Sequence, residues 1–180
     1  MKKQLQQVAL SFFLLGTVCL LPISLSAQFT QQGAKLIGTG NTGAANQGSS
    51  IALSSDGNTA LVGGYYDNAQ QGAVWVYTRS GTTWTQQGSK LVGTSNLRAA
   101  QQGISVALSS NGNTALVGGN SDNSGQGAVW VYTRSGTTWT QQGSKLVGTG
   151  SIGIAQQGYS VALSGNGNTA LVGGHYDNDQ

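Results

Sequence analysis

QGAVWVYTRSGTTWTQQGSKLVGT, residues Gln71 to Thr94, returns unchanged as Gln126 to Thr149. The step from residue 71 to residue 126 is 55, and the same step carries Gln31 to Gln86 and Gln141, and Asp56 to Asn111 and Asn166. A period of this size marks a copied supersecondary unit that buries its apolar face against its neighbours. Within the stretch, Val74 and Val76 alternate with Trp75 and Tyr77. A strand with that alternation has two apolar faces, and both need cover.

Outward from this core, the repeat reads in order. The segment Phe29 to Gly38 ends in an apolar run and predicts a strand, with copies at Trp84 to Gly93 and Trp139 to Gly148. A variable loop follows, then the short run SSIALS (Ser49 to Ser54), copied as ISVALS and YSVALS. Asp56-Gly57, Asn111-Gly112 and Asn166-Gly167 come next, each pair a hairpin signal between apolar runs. The returning strand TALVGG, Thr59 to Gly64, is the same in all three copies. A loop containing Asp-Asn leads to AVWVYT, and Arg79-Ser80-Gly81-Thr82 turns the chain back. No helical spacing of apolar residues occurs after the first thirty residues. Four short antiparallel strands per period, covered on both faces, predict an all-β chain built from β-propeller blades, with an incomplete set of them. A β-solenoid or an open β-sandwich is the alternative. The small residues Ala52, Ala60, Gly63 and Gly64 suit close approach of neighbouring sheets.

The chain opens differently. Lys2 and Lys3 precede the apolar run Val8 to Leu25, followed by Ser26 and Ala27. A basic start, a short apolar core and small residues describe an export signal, not a membrane span, with cleavage expected after Ala27. Cys19 after Gly16-Thr17-Val18 opens a lipoprotein reading, although Val18 stands where a small residue is expected. The expected domains are the signal at 1–27 and a repeat region at 28–180. Within it, 28–47 is a leading outer strand and loop, 48–93 the first blade, 94–148 the second and 149–180 a partial third.

Loss of Lys2 and Lys3 leaves six cations against five acids, so the sequence pI of about 9.2 gives no basis for a nucleic-acid partner. Lys35, Arg79, Lys90, Arg98, Arg134 and Lys145 mostly recur singly at the period and read as solvated. With Cys19 removed no cysteine remains, and packing and backbone pairing must hold the fold.

In this order the residues Gly48-Ser49-Ser50-Ile51-Ala52, Leu61-Val62-Gly63-Gly64 and Gly72-Ala73-Val74-Trp75-Val76-Tyr77 resemble the FG-GAP repeat of integrin-α-type propellers, in its bacterial secreted branch. The resemblance implies a β-propeller serving recognition or adhesion. Calcium-binding members carry several carboxylates in the loop between the first two strands. Here that loop is Ser55-Asp56-Gly57-Asn58, and its Asp becomes Asn111 and Asn166, so no metal site is expected.

The acids outside the leader are five Asp, with no Glu, and His175 is the lone histidine. That set offers no recurring carboxylate pair and no His or Cys cluster, so neither catalysis nor a cofactor is expected. Asp67-Asn68 recurs as Asp122-Asn123 and Asp177-Asn178, which reads either as an Asx turn or as a ring of ligand-binding polar groups. Trp75, Trp84, Trp130 and Trp139 read as inter-blade packing or as sugar platforms. Loops after strands two and four of a blade share one end, and they vary: Tyr65-Tyr66 becomes Asn120-Ser121 and His175-Tyr176, and Asn41–Gln47 becomes Asn96–Gln102. Variable loops on a rigid frame are where binding resides. The candidate binding residues are therefore Tyr65, Tyr66, Asp67, Asn68, Arg98, Asn120, Asp122, Asn123, His175, Tyr176 and Asp177. The expected function is a secreted or cell-surface recognition segment, non-catalytic, for a protein or glycan partner. It has no membrane span after signal cleavage, and its open blade edges favour self-association. The repeat part of a larger secreted hydrolase or lyase, or a structural spacer, stands as the alternative.

Overall fold

The computed structural model describes residues 30–97, 99–151 and 153–177. The signal segment, Phe29, Arg98 and Asn178 lie outside the described residues. The chain divides into Met1–Gln31 and Gln32–Gln180. Thr30 and Gln31, the described part of the first unit, are exposed and outside any strand.

The described residues of the second unit form ten strands in three antiparallel sheets. The first sheet contains β1 (Ser50–Leu53), β2 (Thr59–Gly64), β3 (Ala73–Ser80) and β4 (Thr83–Gln86), in that order. β5 (Ser105–Leu108), β6 (Thr114–Gly119), β7 (Ala128–Ser135) and β8 (Thr138–Gln141) repeat it. β9 (Gln157–Leu163) pairs with β10 (Ala170–Gly174) in the third. Among the described residues the named strands pair only antiparallel, with single parallel bridges from Gly72 to Gln102 and from Gly127 to Gln157, and four-stranded antiparallel sheets of this kind are the blades of a β-propeller, not the rungs of a solenoid.

The two faces of β3 explain why the sheets stack as blades and not as one sandwich. Val74 and Val76 join Leu61 and pack against Ala115, Val117, Trp130 and Tyr132 of the second sheet. Trp75 and Tyr77 point the other way and pack with Ala45, Trp84 and Val92. Trp75 and Trp130 are fully buried, and burial of one such side chain stabilises by about 1.5–3 kcal/mol. Glycine makes the close approach possible. A Cβ on Gly63 would stand 2.1 Å from the Gly103 carbonyl oxygen, and one on Gly118 would stand 2.1 Å from that of Gly158.

One expectation about local structure changes. The outer strand does not run unbroken from Trp84 to Gly93. It stops at Gln86, turns at Gly88 (φ 72°), and resumes where Leu91 and Val74 exchange backbone bonds of 2.7 and 3.0 Å. The break lets Gln87 and Lys90 reach neighbouring elements. Among the described residues, the leading copy of this segment forms no strand at all.

The Asp-Gly pairs lie, as expected, in turns between the first two strands of each sheet, and one residue of each pair takes positive φ. Gly57, Gly112 and Gly167 take φ of 67°, 68° and 77°, but the Asx residue before each does not. Gly57 N–H instead closes on the Ser54 carbonyl at 2.9 Å within a four-residue loop. The Ser54 hydroxyl donates to Asp56 Oδ1 (2.5 Å) and accepts from Thr59 N–H (2.9 Å). Asn58 N–H also donates to Asp56 Oδ1, at 2.9 Å. Asn111 and Asn166 accept the same pair of bonds at 2.7 and 3.0 Å. The position needs an acceptor oxygen and not a charge, which is why Asp and Asn interchange there. The Ser54 hydroxyl, with the Asn58 N–H after it, holds the Asp56 carboxyl below its ordinary pKa.

Candidate functional site

β2, β6 and β10 all finish at one end of their sheets, and the variable loops gather there. The structure sorts the candidate residues at this end into scaffold and surface.

Asp67 and Asp122 are scaffold. Both are fully buried, and each carboxylate is ion-paired, Asp67 with Lys90 and Asp122 with Lys145. The second oxygen of each accepts a backbone N–H from the loop before the blade's first strand: Thr42 to Asp67 at 2.7 Å, Leu97 to Asp122 at 2.6 Å. So the carboxylate is neither a turn closing on its own backbone nor a ligand facing solvent. It clamps the two loops of one blade to the segment after the fourth strand. Lys90 and Lys145, expected to be solvated, expose only 18% and 16% of their side chains. Asp177, their counterpart in the third sheet, is exposed.

The residues after the clamp are strained. Asn68, Ala69 and Gln70 take φ of 48°, 55° and 70°, and Asn123 and Ser124 take 49° and 61°. Left-handed geometry costs an L-residue roughly 1–2 kcal/mol. It persists because bonds on every side fix it: Asn68 N–H to Thr42 (2.9 Å), Gly72 N–H to the Asp67 carbonyl (2.9 Å), and Asn68 Nδ2 to Gln71 Oε1 (2.7 Å). Asn123 Nδ2 makes the corresponding bond to Gln126, at 2.8 Å. The chain then passes along the next blade, with Gln101 and Gln102 N–H donating to the Gln70 and Gln71 carbonyls at 2.8 and 3.0 Å.

Gln102 is a scaffold residue that the loop reading missed. It is fully buried inside the stretch expected to be a variable binding loop, and it brackets the backbone of Gly93. Gln47 does the same to Gly38, and Gln157 to Gly148. The signal was present: glutamine recurs at 47, 102 and 157 while the text before it changes.

Asn68, Asn123 and Asp177 are exposed, and beside them the surface carries an aromatic group. Tyr66, Tyr159 and Tyr176 are 42%, 48% and 45% exposed. The His175 ring stacks on Tyr159 with centroids 4.7 Å apart and meets Tyr176 edge-on at 4.4 Å. Tyr65 and Tyr66 form an edge-on pair at 5.8 Å, and the Tyr65 hydroxyl accepts from Asn46 Nδ2 at 3.4 Å. Tyr159 was not among the expected residues, because it looks like one more position of a strand. Asn120 is 7% exposed and its Oδ1 has no partner among the described residues, so it belongs under the surface, unlike Tyr65 and His175 at the same repeat position.

The tryptophans are packing residues. The Trp75 and Trp130 indoles each donate to a backbone carbonyl, of Thr39 and Thr94, at 2.8 Å. Trp84 and Trp139 carry the Arg79 and Arg134 guanidinium groups at 5.6 and 5.3 Å.

No family model matches the chain. No curated protein matches it either. Among solved structures it is similar to one described as the crystal structure of TolB from Acinetobacter baumannii, with TM-score 0.42 and 13% identity. The alignment covers 76% of this chain and 28% of that one, so the chain spans little more than a quarter of TolB's length. Among the described residues, no three His, Cys, Asp or Glu side chains group as metal ligands. No helix in them is long and apolar enough to cross a membrane.

Proposed function

We propose that this chain is a non-catalytic recognition segment of FG-GAP type, exported to the cell surface or beyond, which binds a protein or glycan through its loop-bearing end. The observation that carries the reading is the exposed aromatic group Tyr159, His175 and Tyr176, with Tyr66 at the same end of the first sheet. Exposed tyrosines on a rigid frame supply contact area at low entropic cost, and their rings stack on sugars or apolar side chains. The acids offer little to chemistry: Asp67 and Asp122 are consumed by lysines, and Asp56 by its own turn. The export signal and the motif register support the surface assignment.

A glycan array and a panel of extracellular-matrix proteins, probed with the purified chain, test this. A saturable hit is expected, weakened at least about tenfold by combined Tyr66→Ser, Tyr159→Ser and Tyr176→Ser changes, with the unfolding temperature preserved. A hit that survives these changes and is lost on altering Ser55 or Ser110, in the turns at the opposite end, sinks the reading.

A further inference from the structure

A cleft between the first and second sheets recurs at the period. Its volume is about 440 Å³, and Gln87, Ser89, Leu91, Thr137, Thr138 and Trp139 are among the residues that line it. Fifty-five positions earlier, Gln32, Ala34, Leu36, Thr82, Thr83 and Trp84 line a cavity of about 300 Å³. The two linings differ only in that alanine stands in place of Ser89. Both volumes lie on the scale of small-molecule sites, about 300–1,000 Å³.

The first wall exists because the outer strand stops at Gln86 and turns at Gly88, leaving the sheet until Leu91 rejoins Val74. The second wall is the turn from β7 into β8, where Thr137 and Thr138 are exposed and Trp139 is half-buried. Residues 87–91 and 137–139 are described throughout, so both walls are formed within the repeat. That turn lies at the end of the sheet opposite the variable loops, away from the tyrosines.

The indole is fixed before any ligand arrives. Its Nε1 donates to Gln87 Oε1 at 3.0 Å, and the Arg134 guanidinium lies 5.3 Å from the ring centroid. Arg134 Nη1 donates to the same Gln87 oxygen at 3.2 Å, and its Nε donates to Asn113 Oδ1 at 3.0 Å. The Gln87 oxygen is thereby used by the protein, and its Nε2 is left to donate. Lys90 also lines the cleft, but its ammonium is ion-paired with Asp67. The cleft therefore offers an aromatic ring, three hydroxyls and an amide, all of them neutral.

We propose that this cleft is a saccharide site for one neutral hexopyranose unit. The C–H-rich face of the sugar lies on the Trp139 indole, whose π face is negative and apolar. Its hydroxyls bond to those of Ser89, Thr137 and Thr138, which donate and accept alike, and to Gln87 Nε2. A phosphate or carboxylate ligand would need an unpaired cation in the lining. A wholly apolar ligand would cover three hydroxyls without bonding them, at a desolvation cost.

The test is a titration of the isotope-labelled full chain with the methyl glycosides of glucose, galactose, mannose and N-acetylglucosamine. The four tryptophan indole N–H resonances, sequentially assigned, are followed by NMR. At least one glycoside is expected to move the Trp139 resonance saturably. Those of Trp75 and Trp130, buried and bonded to backbone carbonyls, stay in place. Ser89→Ala with Thr138→Val removes two hydroxyls at exposed positions and should weaken binding at least about tenfold, with thermal unfolding unchanged. Combined Tyr66→Ser, Tyr159→Ser and Tyr176→Ser changes should leave it as it is, which separates this site from the loop-bearing end. The proposal is overturned if none of the four glycosides moves the Trp139 resonance, or if the hydroxyl variant binds as the parent does. Loss of binding with the tyrosine changes, or a larger shift with inorganic phosphate than with any glycoside, overturns it equally.

Discussion

Gln102 holds Gly93 as a strand partner would: its Oε1 lies 2.5 Å from the glycine nitrogen and its Nε2 lies 3.1 Å from the glycine oxygen. The side chain thereby satisfies a backbone donor and acceptor where the outer strand has ended and no ladder reaches them. Gly93 has to stay bare, because the Trp130 ring occupies the space of its Cβ. Gln102→Leu removes both bonds while keeping the volume. Orphaning a buried polar group costs about 1–3 kcal/mol, and two are orphaned here. Urea unfolding should show that loss with an unchanged slope. Gln47→Leu, at a less buried copy, should cost less.

The Asp67–Lys90 pair predicts an asymmetry. Asp67 is buried to 1% side-chain exposure, whereas Lys90 retains 18%. Lys90→Ala leaves a carboxylate inside the protein with a single N–H donor, that of Thr42. Breaking a buried pair this way costs about 3–5 kcal/mol. Asp67→Asn keeps an acceptor for Thr42 and lets the ammonium turn toward water, so it costs less. Thermal unfolding of the two variants, and of Lys145→Ala and Asp122→Asn in the second sheet, should give the same order twice.

These two relationships show where the sequence was legible. TALVGG and AVWVYT could be placed because period-two alternation fixes faces, and Val74 and Trp75 do point to opposite cores. The Asp-Gly pairs marked turns but not their geometry, because serine and asparagine side chains enlarge the loop by bonding across it. Asp67 and Gln102 were harder. Their roles depend on Lys90 and Gly93, partners 23 and 9 residues away that no local pattern connects. A polar residue constant at the period within otherwise changing text was the available sign. Tyr159 escaped notice because its neighbour His175 comes from the adjacent strand end.

The buried tyrosines predict an alkaline limit to stability. The Tyr77 and Tyr132 hydroxyls have no hydrogen-bond partner among the described residues, and burial pushes both phenols above their ordinary pKa. The folded state therefore resists deprotonation that the unfolded chain accepts near pH 10. Stability from these groups is fully present below that pH and is lost as the pH rises through the raised values. Tyr77→Phe with Tyr132→Phe should reduce the alkaline fall in unfolding free energy between about pH 10 and 12. At pH 7 the same variant should gain stability, since each unpaired hydroxyl costs about 1–3 kcal/mol. A double variant that tracks the parent at every pH would show that water reaches both hydroxyls.

The left-handed run after Asp67 makes the last prediction, and its sign is opposite to most. Ala69 sits at φ 55° and Ser124 at φ 61°, whereas the next position of the second copy, Gly125, takes 95° without a side chain to strain. Both Ala69 and Ser124 are exposed, so no packing is lost when the side chain is removed. Glycine relieves a strain of roughly 1–2 kcal/mol and gives back roughly 0.5–1 kcal/mol in unfolded-state entropy. Ala69→Gly and Ser124→Gly should therefore each stabilise slightly, by about 0.5–1 kcal/mol, and the effects should add because the sites lie in different sheets. The change also bears on the candidate surface, since Ala69 follows Tyr66 by three residues. If the strain only shapes the loop, stability rises and the exposure of Tyr66 to quenchers is unchanged. If the strain holds the tyrosine in place, the glycine variants gain mobility there, and quenching by iodide should rise in Ala69→Gly but not in Ser124→Gly, whose neighbour is Ser121. Destabilisation by both substitutions would mean that the loop bonds, and not the backbone angle, carry the conformation.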